Sequence, residues 1–160
     1  MKSLILVRHA KSSWDFGLDD KKRPLAERGT TDIQKIGSSA QVFLPNDLTI
    51  WCSTAVRATD TAYLFCKKAG LDSEKIIFKE KLYTFDEAQL EKEIKKCENS
   101  VQSLILFGHN EAITNFVNKF GDKYIENVPT SGFVYLQFEE VFWENINKGK
   151  VIKYIFPKEI

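Results

Sequence analysis

Six short runs of β-forming residues punctuate this chain: Leu4–Val7, Leu48–Cys52, Ile76–Phe78, Leu104–Phe107, Phe133–Phe138 and Val151–Phe156. Several are apolar at successive positions instead of alternate ones. A strand with one wet face alternates, whereas a strand with no polar position has to be covered on both faces. Between the runs lie stretches of helical period. Ile33, Ile36, Ala40 and Phe43 mark a first helix, and Ala58, Ala62, Phe65 and Ala69 a second. Leu90, Ile94 and Cys97 mark a third, and Ile113, Phe116, Val117 and Phe120 a fourth. Strands that alternate with helices predict an α/β fold: a three-layer α/β/α sandwich with a mostly parallel central sheet and helices on both faces. The last two runs are joined by a turn-like segment carrying Asn147 and Gly149, which predicts an antiparallel edge. Thr84 with Glu87 three residues on has the pattern of a capping box and is expected to open the third helix. The aromatics near Trp143 are expected at the surface, serving a contact or packing on an edge strand.

A length of 160 residues predicts one domain over 1–160, large enough to fold around its own core. Lys and Arg number 23 against 22 Asp and Glu, so 23 − 22 leaves a net charge of +1. That balance offers no electrostatic reason to expect a nucleic-acid or acidic-membrane partner. Cys52, Cys66 and Cys97 are odd in number and lack a C-x-x-C spacing, so they read as buried thiols in a reducing compartment. The apolar run after Met1-Lys2-Ser3 is too short for a signal-peptide core or a membrane span, and the protein is expected to be cytoplasmic.

The chemistry is marked by a near-repeat. Residues 3–9 read S-L-I-L-V-R-H and residues 103–109 read S-L-I-L-F-G-H, so the two histidines of the chain both follow an apolar strand. Ligands in open α/β sheets bind beyond the carboxyl ends of the strands, and two such strands side by side would put His9 and His109 in one crevice. Arg8 precedes His9 directly. Arg57 lies where the Leu48–Cys52 strand gives way to a helix, and a cation in a first helical turn opposes the helix dipole. It becomes favourable when an anion sits there, gripped by helix N–H groups and a guanidinium together. Two arginines and two histidines at three strand ends predict a phosphate-sized anion pocket. There is no G-x-S-x-G elbow, phosphate loop or dinucleotide fingerprint, and no carboxylate spacing that suggests Mg²⁺ or Ca²⁺. The expected site holds no metal.

Arg8-His9-Ala10 after a strand, Ser53-Thr54-Ala55-Val56-Arg57-Ala58 before a helix, and Gly108-His109-Asn110 after a late strand resemble the histidine phosphatase superfamily, in its phosphoglycerate-mutase-like branch. The order and spacing agree along nearly the whole chain. The short length, the segment Arg8-His9-Ala10-Lys11-Ser12-Ser13-Trp14 and the pattern Arg23-Pro24-Leu25-x-x-Arg28-Gly29 resemble the small SixA-type phosphohistidine phosphatases. Ala10 departs from the glycine usual in the superfamily, though SixA-like members accept small residues there. The resemblance implies a cofactor-independent phosphatase in which His9 attacks phosphorus and forms a phosphohistidine intermediate. Arg8, Arg57 and His109 would hold the phosphoryl oxygens. Lys11 and Asn110 are candidate substrate contacts, with a solvated surface position and a helix cap as their respective alternatives. Relatives that cleave phosphoesters carry an acid in the segment corresponding to Glu80–Glu87. Here Glu80, Asp86 and Glu87 are the candidates, and the pattern singles out none of them as catalytic. A site without an acid suits phosphohistidine on a protein, because imidazole leaves phosphorus more readily than an alkoxide. The alternatives are a small-molecule phosphomonoesterase and a phosphoprotein-binding module without turnover.

Overall fold

The computed structural model describes every residue except Phe16. Its ten principal elements run β1 (Lys2–Arg8), α1 (Glu27–Ala40), β2 (Leu48–Ser53), α2 (Val56–Ala69), β3 (Ile76–Lys79), α3 (Glu87–Lys95), β4 (Ser103–Gly108), α4 (Ala112–Phe120), β5 (Phe133–Phe138) and β6 (Lys150–Ile155). The six strands form one sheet in the order β3-β2-β4-β1-β5-β6. The β1–β4, β2–β4 and β2–β3 pairs are parallel, while β5 runs antiparallel to β1 and β6 antiparallel to β5. The expected α/β/α sandwich with its antiparallel edge is therefore present.

The apolar runs behave as their composition requires. In β1, Leu4, Ile5, Leu6 and Val7 are all fully buried. Leu4 and Leu6 pack on one face with Ile113, Phe116 and Val117 of α4 and Leu90 and Ile94 of α3. Ile5 and Val7 pack on the other with Ile33 and Ile36 of α1 and Ala58, Ala62 and Phe65 of α2. Each such side chain contributes roughly 1.5–3 kcal/mol through burial, and a polar residue on either face of β1 would forfeit that and strand its own hydrogen-bonding groups.

Four local expectations are corrected. Helix α3 is capped by Asp86, whose carboxylate accepts the Ala88 N–H, and Thr84 instead accepts the N–H of Asp86. The helix begins late because the rings of Tyr83 and Phe85 are drawn onto His109, which keeps residues 83–85 outside it. Phe43 falls on a 3-10 turn past α1 and is 41% exposed. Trp143 is wholly buried, its indole N–H donating to the Val101 carbonyl at 2.8 Å, and only its neighbour Phe142 faces solvent. The segment between β5 and β6 is longer than a turn and includes the 3-10 helix Trp143–Asn145. Cys52, Cys66 and Cys97 are buried free thiols. Among the described residues no helix is long and apolar enough to cross a membrane.

Candidate active site

The repeated segments pair with themselves. Strands β1 and β4 run parallel with Ser3 opposite Ser103, Leu4 opposite Leu104 and so on to Arg8 opposite Gly108. This register delivers His9 and His109 to the same point, and the His9 N–H donates to the Gly108 carbonyl at 3.0 Å. The two imidazole centroids are 5.2 Å apart. Strand β2 flanks β4 on the other side, so Ser53 and the start of α2 complete the crevice.

His9 is 8% exposed. Its Nδ1 lies 2.8 Å from the Ala10 carbonyl, which only accepts, so Nδ1 carries the proton and Nε2 keeps its lone pair. That Nε2 faces the Arg57 Nε–H at 3.4 Å. Burial lowers the His9 pKa to about 4; the bond to Ala10 opposes the shift, and the charges of Arg57, Arg8 and Arg23 reinforce it. The ring is neutral at physiological pH and presents an unprotonated Nε2, which accepts from Arg57, to the pocket.

His109 is 1% exposed, and its pKa is lowered to about 2, first by burial and then by His9 and Arg57. Its Nε2 meets the Ser53 hydroxyl at 2.8 Å, while Nδ1 is buried with no hydrogen-bond partner among the described residues. With the Ser53 hydroxyl donating to Nε2, a role it can take while accepting the Ala55 N–H, the imidazole proton sits on Nδ1. Arg8 donates from Nη1 to the Val128 carbonyl at 2.9 Å, and its Nε is likewise buried without a partner. The unprotonated Nε2 of His9 thus shares the crevice with unspent donors on Arg8 and His109. Buried donors of this kind are expensive to leave unpaired, and they match the charge and valence of an oxyanion.

Arg57 is 1% exposed and occupies the first turn of α2. No side chain caps this helix. Instead Thr61 of its second turn accepts the Ala10 N–H at 2.8 Å and donates to the Arg57 carbonyl at 2.6 Å, which ties the loop after β1 to α2. Gly29 of α1 serves the same loop from the other side. A Cβ on Gly29 would fall 2.2 Å from the Lys11 carbonyl oxygen, so only glycine lets α1 approach this closely.

The structure brings Arg8, His9, Arg57 and His109 together and sets the other two candidates apart. Lys11 is exposed, and its backbone carbonyl makes the local tie by accepting the Ala26 N–H. Asn110 spends its side chain within the protein: Oδ1 accepts from Thr114 N and Oγ1, and Nδ2 donates to Asn127. From the residue before the Glu111 N-cap it takes up a first-turn N–H of α4, and it fastens the loop before β5. Of the three acid candidates, Glu80 is exposed and hydrogen-bonded by Lys21 and Thr54, which lower its pKa. Asp86 caps α3, and Glu87, in its first turn, faces Lys119.

Five site residues escaped the sequence. Ser53 stood inside a conspicuous segment, and its place at a strand terminus level with Gly108 was the available signal. Asp20 and Arg23 lie in a charged stretch, Asp19 to Arg23, that reads as a solvated surface. Asp20 instead accepts from Arg57 Nη2 at 2.9 Å, from Tyr83 Oη at 2.6 Å and from Arg23 Nη2 at 3.3 Å. Together these bonds hold its pKa at about 2 against the desolvation that opposes them. Tyr83 completes that group, its ring edge-on to His109 at 5.3 Å. Ser131 has φ +65°, and its N–H bonds the carbonyls of Arg8 and His9, with its hydroxyl buried and unpaired beside them. A non-glycine residue held in that region of φ is strained, and such strain gathers at functional sites.

Known proteins share this fold. An uncharacterized protein of Mycobacterium tuberculosis, Rv1276c, is 28% identical over 153 residues, covering 89% of this chain and 93% of that protein. The solved protein histidine phosphatase SixA complexed with tungstate superposes with a TM-score of 0.82 at 17% identity, covering 98% of both chains. The mycobacterial glucosyl-3-phosphoglycerate phosphatase Rv2419c in complex with VO3 superposes with a TM-score of 0.69 at 14% identity, covering 98% of this chain and 100% of that one. At such identities these two establish the fold. The sequence model of the histidine phosphatase superfamily (branch 1) matches residues 4–104, a span that begins in β1 and reaches β4. With that match over most of its length, this chain belongs to the histidine phosphatase superfamily, branch 1, and is a phosphatase of the histidine-nucleophile class.

Proposed function

We propose that this phosphatase removes phosphate from phosphohistidine on a protein, through a phosphorylated His9. His9 Nε2 attacks phosphorus, the bond to the leaving nitrogen breaks, and water then hydrolyses the phosphohistidine of the enzyme. Arg8 Nε, His109 Nδ1 and Arg57 hold the non-bridging oxygens and stabilise their charge during both transfers. A neutral His9 is ready to attack without first losing a proton.

The observation that carries the substrate assignment is the state of the carboxylates around the pocket. Asp20 is held near pKa 2 by Tyr83, Arg57 and Arg23, and Glu80 is lowered by Lys21 and Thr54, so both are ionised at neutral pH. An alkoxide leaving group needs a proton in the transition state, a contribution of roughly 10²–10⁴ in rate, and an ionised carboxylate has none to give. Phosphohistidine protonated on its distal ring nitrogen releases neutral imidazole, whose conjugate-acid pKa is about 6.5, and needs no acid from the enzyme at the bond that breaks. SixA, whose solved form carries tungstate, offers the same fold for a protein phosphohistidine substrate.

The test compares kcat/KM on a phosphohistidine-bearing protein, an aryl phosphate and a set of sugar phosphates. Preference for the protein is expected. Preference for a sugar phosphate would make the enzyme a small-molecule phosphomonoesterase, and tight binding without turnover would make it a phosphoprotein-binding module. His9→Ala is expected to abolish both turnover and the trapping of acid-labile phosphate on the enzyme; activity surviving that change would sink the nucleophile assignment.

A further inference from the structure

Arg57 reaches the pocket with only part of its guanidinium. Its Nε lies 3.4 Å from His9 Nε2, but both terminal nitrogens are committed to one residue. Nη1 donates to the main-chain carbonyl of Asp20 at 2.6 Å, and Nη2 donates to the Asp20 Oδ2 at 2.9 Å. The same carboxylate accepts from Tyr83 Oη at 2.6 Å and from Arg23 Nη2 at 3.3 Å.

The two sides of this ion pair differ sharply in exposure. The Arg57 side chain is 2% exposed and fixed in α2, whereas that of Asp20 is 40% exposed on the 3-10 turn Asp20–Lys22. Arginine binds phosphate best with two nitrogens acting as a fork. With Asp20 in place, a phosphoryl group bridging Arg8 Nε and His109 Nδ1 finds only Nε of Arg57 outside the grip of Asp20, and that nitrogen is directed at His9 Nε2. It would also approach a carboxylate that is already ionised. A phosphate dianion is the stronger ligand for the arginine, and Asp20, open to water on its outer side, is free to give way.

We propose that Asp20 is the resident anion of this pocket: it occupies the Arg57 fork in the free enzyme, is exchanged for a phosphoryl oxygen when substrate binds, and by returning weakens the hold on inorganic phosphate. This inference rests on the reading of the pocket as a phosphoryl site and goes beyond it. It makes Asp20 a positioning residue that sets phosphate affinity. The carboxylate donates no proton in either state.

A purely supporting role for Asp20 predicts the opposite sign. If the carboxylate only props Arg57 in place, its loss lets the guanidinium wander and weakens phosphate binding. If it competes for Arg57, its loss strengthens binding. Titration calorimetry with inorganic phosphate at neutral pH on the wild-type protein, Asp20→Asn and Asp20→Ala separates the two. Asp20→Asn keeps the shape and removes the charge, and Asp20→Ala removes the side-chain contact on Nη2 while leaving the main-chain carbonyl on Nη1. Both are expected to lower the Kd for phosphate by about 10- to 100-fold, the range of one charge-assisted hydrogen bond. Phosphate binding that is equal or weaker in both variants, including none measurable in any of the three proteins, overturns the exchange. The titration needs no turnover, so a failure of the phosphatase reading in the kinetic assays leaves this comparison readable on its own.

Discussion

Acidification from pH 7.5 to 5 should remove a large, calculable part of the stability of this fold. The chain has two histidines, and both are buried at the crevice. Unfolded, each binds a proton near pH 6.5; folded, burial and the neighbouring guanidiniums hold His9 to about 4 and His109 to about 2. Both folded values lie below the unfolded one, so the unfolded chain takes up protons first as the pH falls. The contribution is fully present above about pH 6.5 and is lost downward, with the share of His9 levelling off near pH 4. At about 1.36 kcal/mol per pH unit, each histidine loses about 2 kcal/mol between pH 6.5 and 5, for about 4 kcal/mol together. Set against a typical 5–15 kcal/mol for a domain, that loss is severe. Asp20 and Glu91, both held near 2, add their effects only at lower pH. Urea denaturation at half-unit pH steps measures the slope, and His9→Gln should halve the loss to about 2 kcal/mol. A wild-type loss under about 1 kcal/mol, or an unchanged loss in the variant, would refute the claim that both rings are buried neutral.

Two substitutions probe the framework of the site. Arg57→Lys preserves the charge but not the fork that spans His9 and Asp20, and kcat/KM is expected to fall by about 10²–10³-fold, comparable to loss of one oxyanion donor; wild-type kinetics would show that a point charge suffices. Gly29→Ala drives a Cβ to 2.2 Å from the Lys11 carbonyl, which is itself bonded to the Ala26 N–H. The loop carrying His9 must shift, and thermal denaturation should show about 1–3 kcal/mol of destabilisation together with reduced turnover. An unchanged Tm would mean that α1 does not fix this loop.

What could be read from the sequence is what nearest neighbours encode. Unbroken apolar runs such as Leu4–Val7 demand cover on both faces whatever lies elsewhere in the chain, so the layered α/β architecture follows from local pattern. The repeated strand–histidine segments pointed to a shared crevice because strand ends in such sheets converge on one side. The start of α3 was misplaced because a capping pattern is local, whereas the pull of His109 on Tyr83 and Phe85 is not. Lys11 and Asn110 were chosen for proximity in sequence, yet one faces solvent and the other is consumed by Thr114 and Asn127. The residues missed altogether share a cause. Asp20 lies 37 positions from Arg57 and 63 from Tyr83, and no local rule says which of many surface-like charges will close on a buried arginine. Sequence alone determined the layers, the strand ends and the pair of histidines. The path of the connecting loops, resolved only by packing, decided which carboxylate meets Arg57 and which donors face His9, because electrostatic partnership depends on distance in space and leaves no period along the chain.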